Sequence, residues 1–504
     1  MKNIVYLMAM IVVILVTGCE DNLDLTNPNQ ITTDTFFQTE TDFEQALISA
    51  YVSAKSGLAG GYTGTRCVML RIGRSDEIEF RNDIGGIYQV SRFTNDPDNK
   101  WVAFMFSQCY RGIYRCNLIE EKLEEKEFSQ EFKNKILGEA YFLRGFYYHI
   151  LAREFKDVPI RLEASQDPTT FPLAKSPQSE VYAQALADLK KAEDLLPVIT
   201  DAASAKGKPS KGSAKALAGQ IYIEMNDWDN AKTQLEPLTK APYDYELVEY
   251  GWNFDEAHEY NKESVFEIIF DMSGGTNKWG DGEDVNATQS NTIAKEYAAA
   301  EVGGWFEAVP TQVLMDEFWK EKDLDENFDI RARMTVAWNY PGCMYYLKPF
   351  TEVFAPEKHD SYWFTKYQNA YTREKELDPM SAINERYIRY AHVICNLAEA
   401  ELELGNADEA IGYLNQIRQR ANLAEYSGGT DKESLKAELI HQKYIEFAKE
   451  GVRFYDLRRW GMLEEALQKQ DPVRAQNFSE KHLYFPIPNK EVQNNPLLEQ
   501  STGW

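Results

Sequence analysis

The sequence lacks any apolar run long enough to cross a lipid bilayer. The longest run, Ile4 to Val16, has about 13 residues, whereas a membrane-spanning helix needs roughly 20. This length, following Lys2, is typical of the apolar part of a signal peptide. We therefore expect an exported chain whose mature form does not span a membrane.

Cysteine is too sparse to suggest a disulfide framework, with six residues in 504. The first one follows Val16-Thr17-Gly18, small residues of the kind that precede a lipoprotein cleavage site. We interpret residues 1–18 as a signal peptide and Cys19 as the lipidated first residue of the mature chain. The alternative is an ordinary secretory signal with an incidental cysteine. The other five are expected to be buried free thiols: Cys67, Cys109, Cys116, Cys343 and Cys395.

The polar segment after Cys19 is expected to be a lipidated tether over residues 19–38. Its acidic beginning, Glu20 to Asp24, resembles a sorting signal that sends lipoproteins to the outer face of the cell. A plain solvated tether is the alternative. The first interpretation places the protein on the outer membrane, lipid-anchored and facing the exterior.

Positive charge is scarce, since 54 Lys and Arg face 80 Asp and Glu, which gives a net charge of −26. Nucleic acid is therefore not expected as a partner, because binding it relies on cationic contacts to phosphate.

Familiar catalytic motifs are also missing, including the Walker A loop, G-x-S-x-G, H-E-x-x-H and G-x-G-x-x-G. Carboxylates are too abundant for a glycosidase pair to be identified from sequence. Gly280 to Asn286 is rich in oxygen donors but lacks the full calcium-loop pattern, so we interpret it as a solvated loop. We expect no cofactor, no metal and no enzymatic activity.

Helical periodicity dominates the chain. It predicts helices over Thr39–Leu58, Trp101–Lys126, Lys133–Phe155 and Ser179–Leu196. Two later helix pairs place small and apolar residues at the same intervals, as tetratricopeptide (TPR) repeats do. These residues are Gly219, Tyr222, Ala231 and Leu235 in one pair, and Ala398, Glu401, Ala410 and Leu414 in the other. The prediction is a mostly α fold in which four TPR-like pairs form a scaffold.

Two long inserts, 59–98 and 241–384, interrupt the repeats and give the irregular, loop-rich half with short strands. Glu263 to Asp271 is predicted to be a strand. We divide the chain into an N-terminal part, 39–240, with three helix pairs and the first insert, and a C-terminal part, 241–504. The latter contains an aromatic-rich insert, the last helix pair and an irregular tail. Loops carried by a rigid scaffold usually hold the functional residues.

Several sequence blocks follow one another along the chain in a recognisable order. The most distinctive block is Glu450 to Gly461, with the sequence EGVRFYDLRRWG. The others are Gly138–Tyr148, Glu154–Ile160, Lys211–Tyr222, Met225–Ala231, Phe328–Arg331, Ile388–Val393 with Ala398–Ala400, and Tyr484–Pro488 with Asn495-Pro496 and the terminal Gly503-Trp504. Together these blocks resemble the SusD/RagB family of outer-membrane nutrient-binding lipoproteins.

The resemblance implies a SusD-like fold and a binding function without catalysis. It implies capture of a nutrient at the cell surface, most often a glycan, and delivery to a SusC-like TonB-dependent transporter. A peptide ligand in the same role, and a TPR-type protein–protein adaptor, are the alternatives.

Candidate binding residues are aromatic and polar side chains on the inserts. Flat rings cover the apolar face of a sugar, while polar side chains bond its hydroxyls. We select Trp305 after Gly303-Gly304, then Trp279 in a polar loop, and by resemblance Asp76, Arg81, Tyr88 and Phe93. A core position for Trp305 and a structural ion pair between Asp76 and Arg81 are the alternatives.

Overall fold

The computed structural model describes residues 36–55, 64–164, 167–199, 202–272 and 289–504. Cys19, Trp279 and the Gly280–Asn286 loop lie outside these residues, so what the sequence indicates for them stays a prediction.

Helices form most of the described chain. In order they are α1 Glu40–Val52, α2 Thr65–Ile72, α3 Gly86–Ser91, α4 Lys100–Glu124, α5 Gln130–Phe155, α6 Gln178–Leu195, α7 Ala202–Ala205, α8 Lys211–Glu224, α9 Trp228–Leu235, α10 Ile293–Tyr297, α11 Gln312–Phe318, α12 Ile330–Thr335, α13 Phe350–Val353, α14 Tyr390–Glu403, α15 Ala407–Arg420, α16 Lys432–Glu446, α17 Arg453–Arg459, α18 Leu463–Gln470, α19 Pro472–Ala475 and α20 Asn489–Asn494. The strands are β1 Ile78–Phe80, β2 Ser264–Ile268, β3 Ala308–Pro310, β4 Val336–Ala337, β5 Met344–Tyr345, β6 Lys348–Pro349, β7 Trp363–Phe364 and β8 Glu385–Arg389.

Four antiparallel helix pairs build the scaffold: α1 with α4, α5 with α6, α8 with α9, and α14 with α15. Neighbouring pairs are in contact through α4 and α5, α6 and α8, and α9 and α14. The last pair therefore packs directly against the third pair, although the second insert separates the two in sequence. The predicted mostly α fold with four TPR-like pairs is confirmed.

Local sequence explains where these helices begin and turn. Thr39 caps α1 and forms a capping box with Asp42. The helix ends at Val52, short of the predicted Leu58. In the turns between paired helices, Asn226 has a φ of 57° and Gly405 a φ of 85°, values that favour these two residue types.

Among the residues that the structure describes there are four two-stranded antiparallel sheets: β1 with β3, β2 with β8, β4 with β7, and β5 with β6. The first joins the two inserts, and the last two lie within the second insert. The predicted strand at 263–271 is confirmed as the shorter β2. Its partner β8 leads directly into α14, so this sheet attaches the second insert to the last helix pair. Helix α11 begins at Gln312, just after β3, whose last residue Pro310 pairs with Ile78.

One main hydrophobic core contains side chains from positions between Phe37 and Leu498, and so from nearly the whole described sequence. A smaller cluster within the second insert contains the buried rings of Tyr345, Tyr346, Phe350, Phe354 and Trp363. The five cysteines beyond Cys19 are buried and unbridged, as expected. Within the described ranges, no helix combines the length and apolarity needed to span a bilayer.

Two glycines offer a matched test of the scaffold's packing. A Cβ at Gly112 in α4 would overlap the buried ring of Tyr147, whereas a Cβ at Gly412 in α15 would meet no atom within 4 Å. We expect Gly112→Ala to lower the free energy of unfolding by about 1–3 kcal/mol through overpacking. Gly412→Ala should raise it by about 0.5–1 kcal/mol through helix propensity. Thermal and urea unfolding measure both, and equal effects would contradict the close approach of α4 and α5.

Candidate functional site

The β1–β3 sheet brings the two inserts together. Glu79 pairs with Val309 and Phe80 with Ala308 in antiparallel register. The pairing continues past β1, because the amide of Arg81 donates to the carbonyl of Glu307 at 2.9 Å. Residues just after β1 therefore lie beside residues just before β3.

The loop before β3 is held tightly against α10. Gly303 has a φ of 86°, which favours glycine, and a Cβ at Gly304 would overlap the carbonyl of Ala298. The amide of Trp305 donates to the carbonyl of Lys295 at 2.8 Å, and that of Phe306 donates to the carbonyl of Ala298 at 3.0 Å. The Gly-Gly pair noted in the sequence thus lets the loop fold back and fixes the backbone beneath both rings.

Arg81 connects the two inserts. Its Nη1 donates to the carbonyl of Trp305 at 2.7 Å, and its guanidinium lies over the ring of Phe306, 4.2 Å from the centroid. Asp83 accepts from Nε at 2.8 Å and from Nη2 at 2.6 Å. Glu307 lies 3.8 Å from Nη2. We call these five residues the Trp305 platform.

The platform exposes both rings and charge to solvent. Trp305 is half-buried, and Phe306 is 36% exposed. The side chains of Arg81 and Asp83 are 33% and 58% exposed. A half-exposed ring next to fixed hydrogen-bonding groups is the arrangement expected where a polyhydroxylated ligand binds.

A buried carboxyl group lies below the platform on α10. Burial raises the pKa of Glu296 to about 7, Arg66 at 3.2 Å opposes this, and neighbouring Glu307 adds to it. Burial also raises the pKa of Glu307. The hydrogen bonds to Asp83 raise the pKa of Arg81 and lower that of Asp83.

The other sequence-selected residues in the described part of the chain, Asp76, Phe93 and Tyr88, lie outside the platform. Asp76 is 1% exposed and accepts two hydrogen bonds from Arg453, both 3.0 Å long, so it belongs to a structural ion pair, with Arg453 and not with Arg81. Phe93 is 4% exposed and packs against Phe478 in a separate core cluster. Neither offers surface to a ligand. Tyr88 is half-buried against the main core.

Of the five sequence-selected residues that the structure describes, it brings Arg81 and Trp305 together and leaves Asp76, Tyr88 and Phe93 apart from them. Sequence reasoning missed Phe306, Asp83 and Glu307. Phe306 and Glu307 directly follow Trp305, and Asp83 is two residues after Arg81, but only the β1–β3 register shows that these short segments meet. Among the described residues, no group of three or more His, Cys, Asp or Glu side chains is placed so that it could hold a metal ion.

The raised pKa of Glu296 predicts a pH dependence of stability. A carboxyl group whose pKa rises on folding, from 4.5 to about 7, favours the folded state at low pH, and this contribution is lost as the pH rises through 7. We expect the Tm of Glu296→Gln, relative to the Tm of the natural chain, to be higher at pH 8 than at pH 5. Exposed Glu409 on α15 provides the control, Glu409→Gln. If the difference in Tm between Glu296→Gln and the natural chain were the same at pH 5 and pH 8, the raised pKa of Glu296 would be contradicted.

Comparisons with known proteins agree with this architecture. A family model described as the SusD family matches residues 262–504, and one described as starch-binding and associating with the outer membrane matches residues 21–223. A SusD superfamily protein from Bacteroides vulgatus is 53% identical over 93% of this chain and 100% of its own, with a TM-score of 0.87. SusD-like protein P2 of Formosa agariphila is 28% identical over 98% of both chains. A laminarin binding SusD-like protein is 26% identical over 93% of this chain and 100% of its own, with a TM-score of 0.73. The chain belongs to the SusD family.

Proposed function

We propose that this protein is a cell-surface lipoprotein of the outer membrane that binds a glycan at the Trp305 platform. It passes the glycan to a SusC-like TonB-dependent transporter and performs no chemistry on it. Lipid on Cys19 holds it at the membrane.

The main observation in support of this binding site is that two neighbouring rings, Trp305 and Phe306, are fixed beside Arg81 and Asp83. A pyranose presents an apolar C–H face, which a flat ring covers, and an edge of hydroxyls, which charged groups bond strongly. Because the loop is fixed by backbone hydrogen bonds and by Arg81, little conformational entropy is lost on binding.

Family membership supports the nutrient-binding role, and the outer-membrane description of the matching family model supports the location. The similar structure of a laminarin binding protein favours a glycan over a peptide. A peptide ligand in the same role is the second candidate, since an aromatic platform also suits peptide side chains. The long inserts beside the helix pairs argue against a pure protein–protein adaptor.

Removing the Trp305 ring tests the site. We expect Trp305→Ala to weaken binding of the cognate glycan about tenfold, equivalent to about 1.4 kcal/mol, because the stacking surface is lost. Binding is first mapped on glycan and peptide arrays with the full chain in detergent and then measured by calorimetry. The thermal midpoint should change little, because the ring is half-buried.

Trp252 provides a matched control, since it is 37% exposed and stacks on His258 with ring centroids 4.6 Å apart, in a different segment of the chain. Trp252→Ala should leave glycan affinity unchanged, while Trp279→Ala examines the second candidate selected from sequence. A large loss of stability in Trp305→Ala would identify the ring as core. Signals on peptides alone would favour the peptide alternative.

The anchor and the transporter are tested together. We expect the natural chain to fractionate with outer membranes and to retain a TonB-dependent barrel when it is captured from them in mild detergent. Cys19→Ser should release the chain from the membrane fraction, because the thiol that carries the lipid is gone. Capture of the anchored protein without any barrel would contradict the transporter role.

A further inference from the structure

We propose that the Trp305 platform selects neutral oligosaccharides and discriminates against saccharides that carry carboxylate or sulfate groups. This inference rests on the proposed function, because it assumes that the platform holds a saccharide.

The cation of the platform is Arg81, and each nitrogen of its guanidinium already donates a hydrogen bond. Nε and Nη2 of Arg81 donate to the two carboxylate oxygens of Asp83, and Nη1 donates to the carbonyl of Trp305. The ring of Phe306 covers one face of the guanidinium. A ligand carboxylate could take the two-point fork through Nε and Nη2, a geometry in which arginine binds carboxylates well, only by displacing Asp83.

Other cations next to this loop have partners as well. Arg66 lies 3.2 Å from Glu296, and Lys358 forms an ion pair with Glu301. Lys295 lies 5.9 Å from the centre of the Trp305 ring, but it is buried and its Nζ donates to the carbonyl of Glu376 at 2.5 Å. None of these three is positioned as an open anion receptor.

One acidic group, Asp83, is more accessible than the cation. The side chain of Asp83 is 58% exposed against 33% for Arg81, whereas Glu307 is largely buried 3.8 Å from Arg81. The chain as a whole carries a net charge of −26. An anionic saccharide at the rings would therefore meet like charge both locally and at long range, which is a common way for proteins to reject wrong ligands.

Neutral hydroxyls suit the same groups. A carboxylate oxygen accepts a hydrogen bond from a sugar hydroxyl while it keeps its arginine, because each oxygen has more than one lone pair. A neutral sugar thus adds hydrogen bonds without breaking the Arg81–Asp83 pair. The structure consequently assigns Arg81 a positioning role, and it assigns Asp83 the role of the group that sets charge specificity.

The test compares two sets of oligosaccharides of matched length on the full chain in detergent. One set is neutral and includes laminarin oligosaccharides, and the other consists of oligouronates and sulfated oligosaccharides. We expect the bound ligands to be neutral, with at least about tenfold weaker binding of the anionic set. Binding of the anionic set should strengthen relative to the neutral set as salt is raised, because added ions screen the repulsion.

Asp83→Asn should shift the preference. It frees the guanidinium and removes one negative charge, so the ratio of neutral to anionic affinity should fall about three- to tenfold at low salt. Asp194→Asn is the matched control, because Asp194 forms an exposed ion pair with Lys190 on α6. That variant makes the same charge change away from the platform and should leave the ratio unaltered.

The outcomes separate the two proposals. Equal or tighter binding of uronates or sulfated sugars by the natural chain would overturn the charge selectivity and leave glycan binding intact. An unchanged ratio in Asp83→Asn would overturn the role of Asp83. Silence with both sets would reject glycan binding itself and the selectivity with it.

Discussion

A buried, charge-balanced cluster centred on Arg389 fixes the scaffold to the loop-rich half. Its guanidinium donates to Glu263 at 2.7 Å, to Glu446 at 2.6 Å and to both oxygens of Glu450 at 2.9 and 2.7 Å. The other contributors are Arg331 with Asp329, Arg420 and Lys366. Loss of any single partner would leave an uncompensated charge in a dry interior, which costs several kcal/mol. The cluster therefore requires β2, β8, α15 and α16 to meet in one arrangement.

The same reasoning explains the sequence block that carries the strongest family resemblance. Its residues do not face the Trp305 platform. Glu450 belongs to the Arg389 cluster, Arg453 forms the ion pair with Asp76 in the first insert, and Arg459 forms one with Glu399 in α14. The block thus identifies the fold through the contacts that assemble it, whereas the proposed binding platform lies in loops outside it.

The platform proposed to bind the ligand is attached to this rigid frame through a short sheet. The β1–β3 register places Arg81 next to Trp305, and the Gly303-Gly304 turn holds the Trp305 backbone against α10. The arginine that would suit an anionic ligand is instead occupied by Asp83 and by a backbone carbonyl. The platform consequently combines apolar rings with groups whose charges are already compensated, which suits a neutral, hydroxyl-rich ligand.

The sequence by itself determined the long scaffold helices and the TPR-like pairs, because caps and periodicity act over a few residues. It also made Trp305, after its glycine pair, and Arg81, by family resemblance, candidates for ligand binding, which stay predictions. It did not determine which inserted rings face solvent. Tyr345, Tyr346 and Trp363 look like equally good ligand candidates in sequence, yet they are buried in a cluster within the second insert. Nor did it determine that Asp76 pairs with Arg453, 377 positions away, or that Arg81 bonds Trp305, 224 positions away. Such pairings depend on strand register and on buried charge compensation, which only the assembled tertiary structure decides.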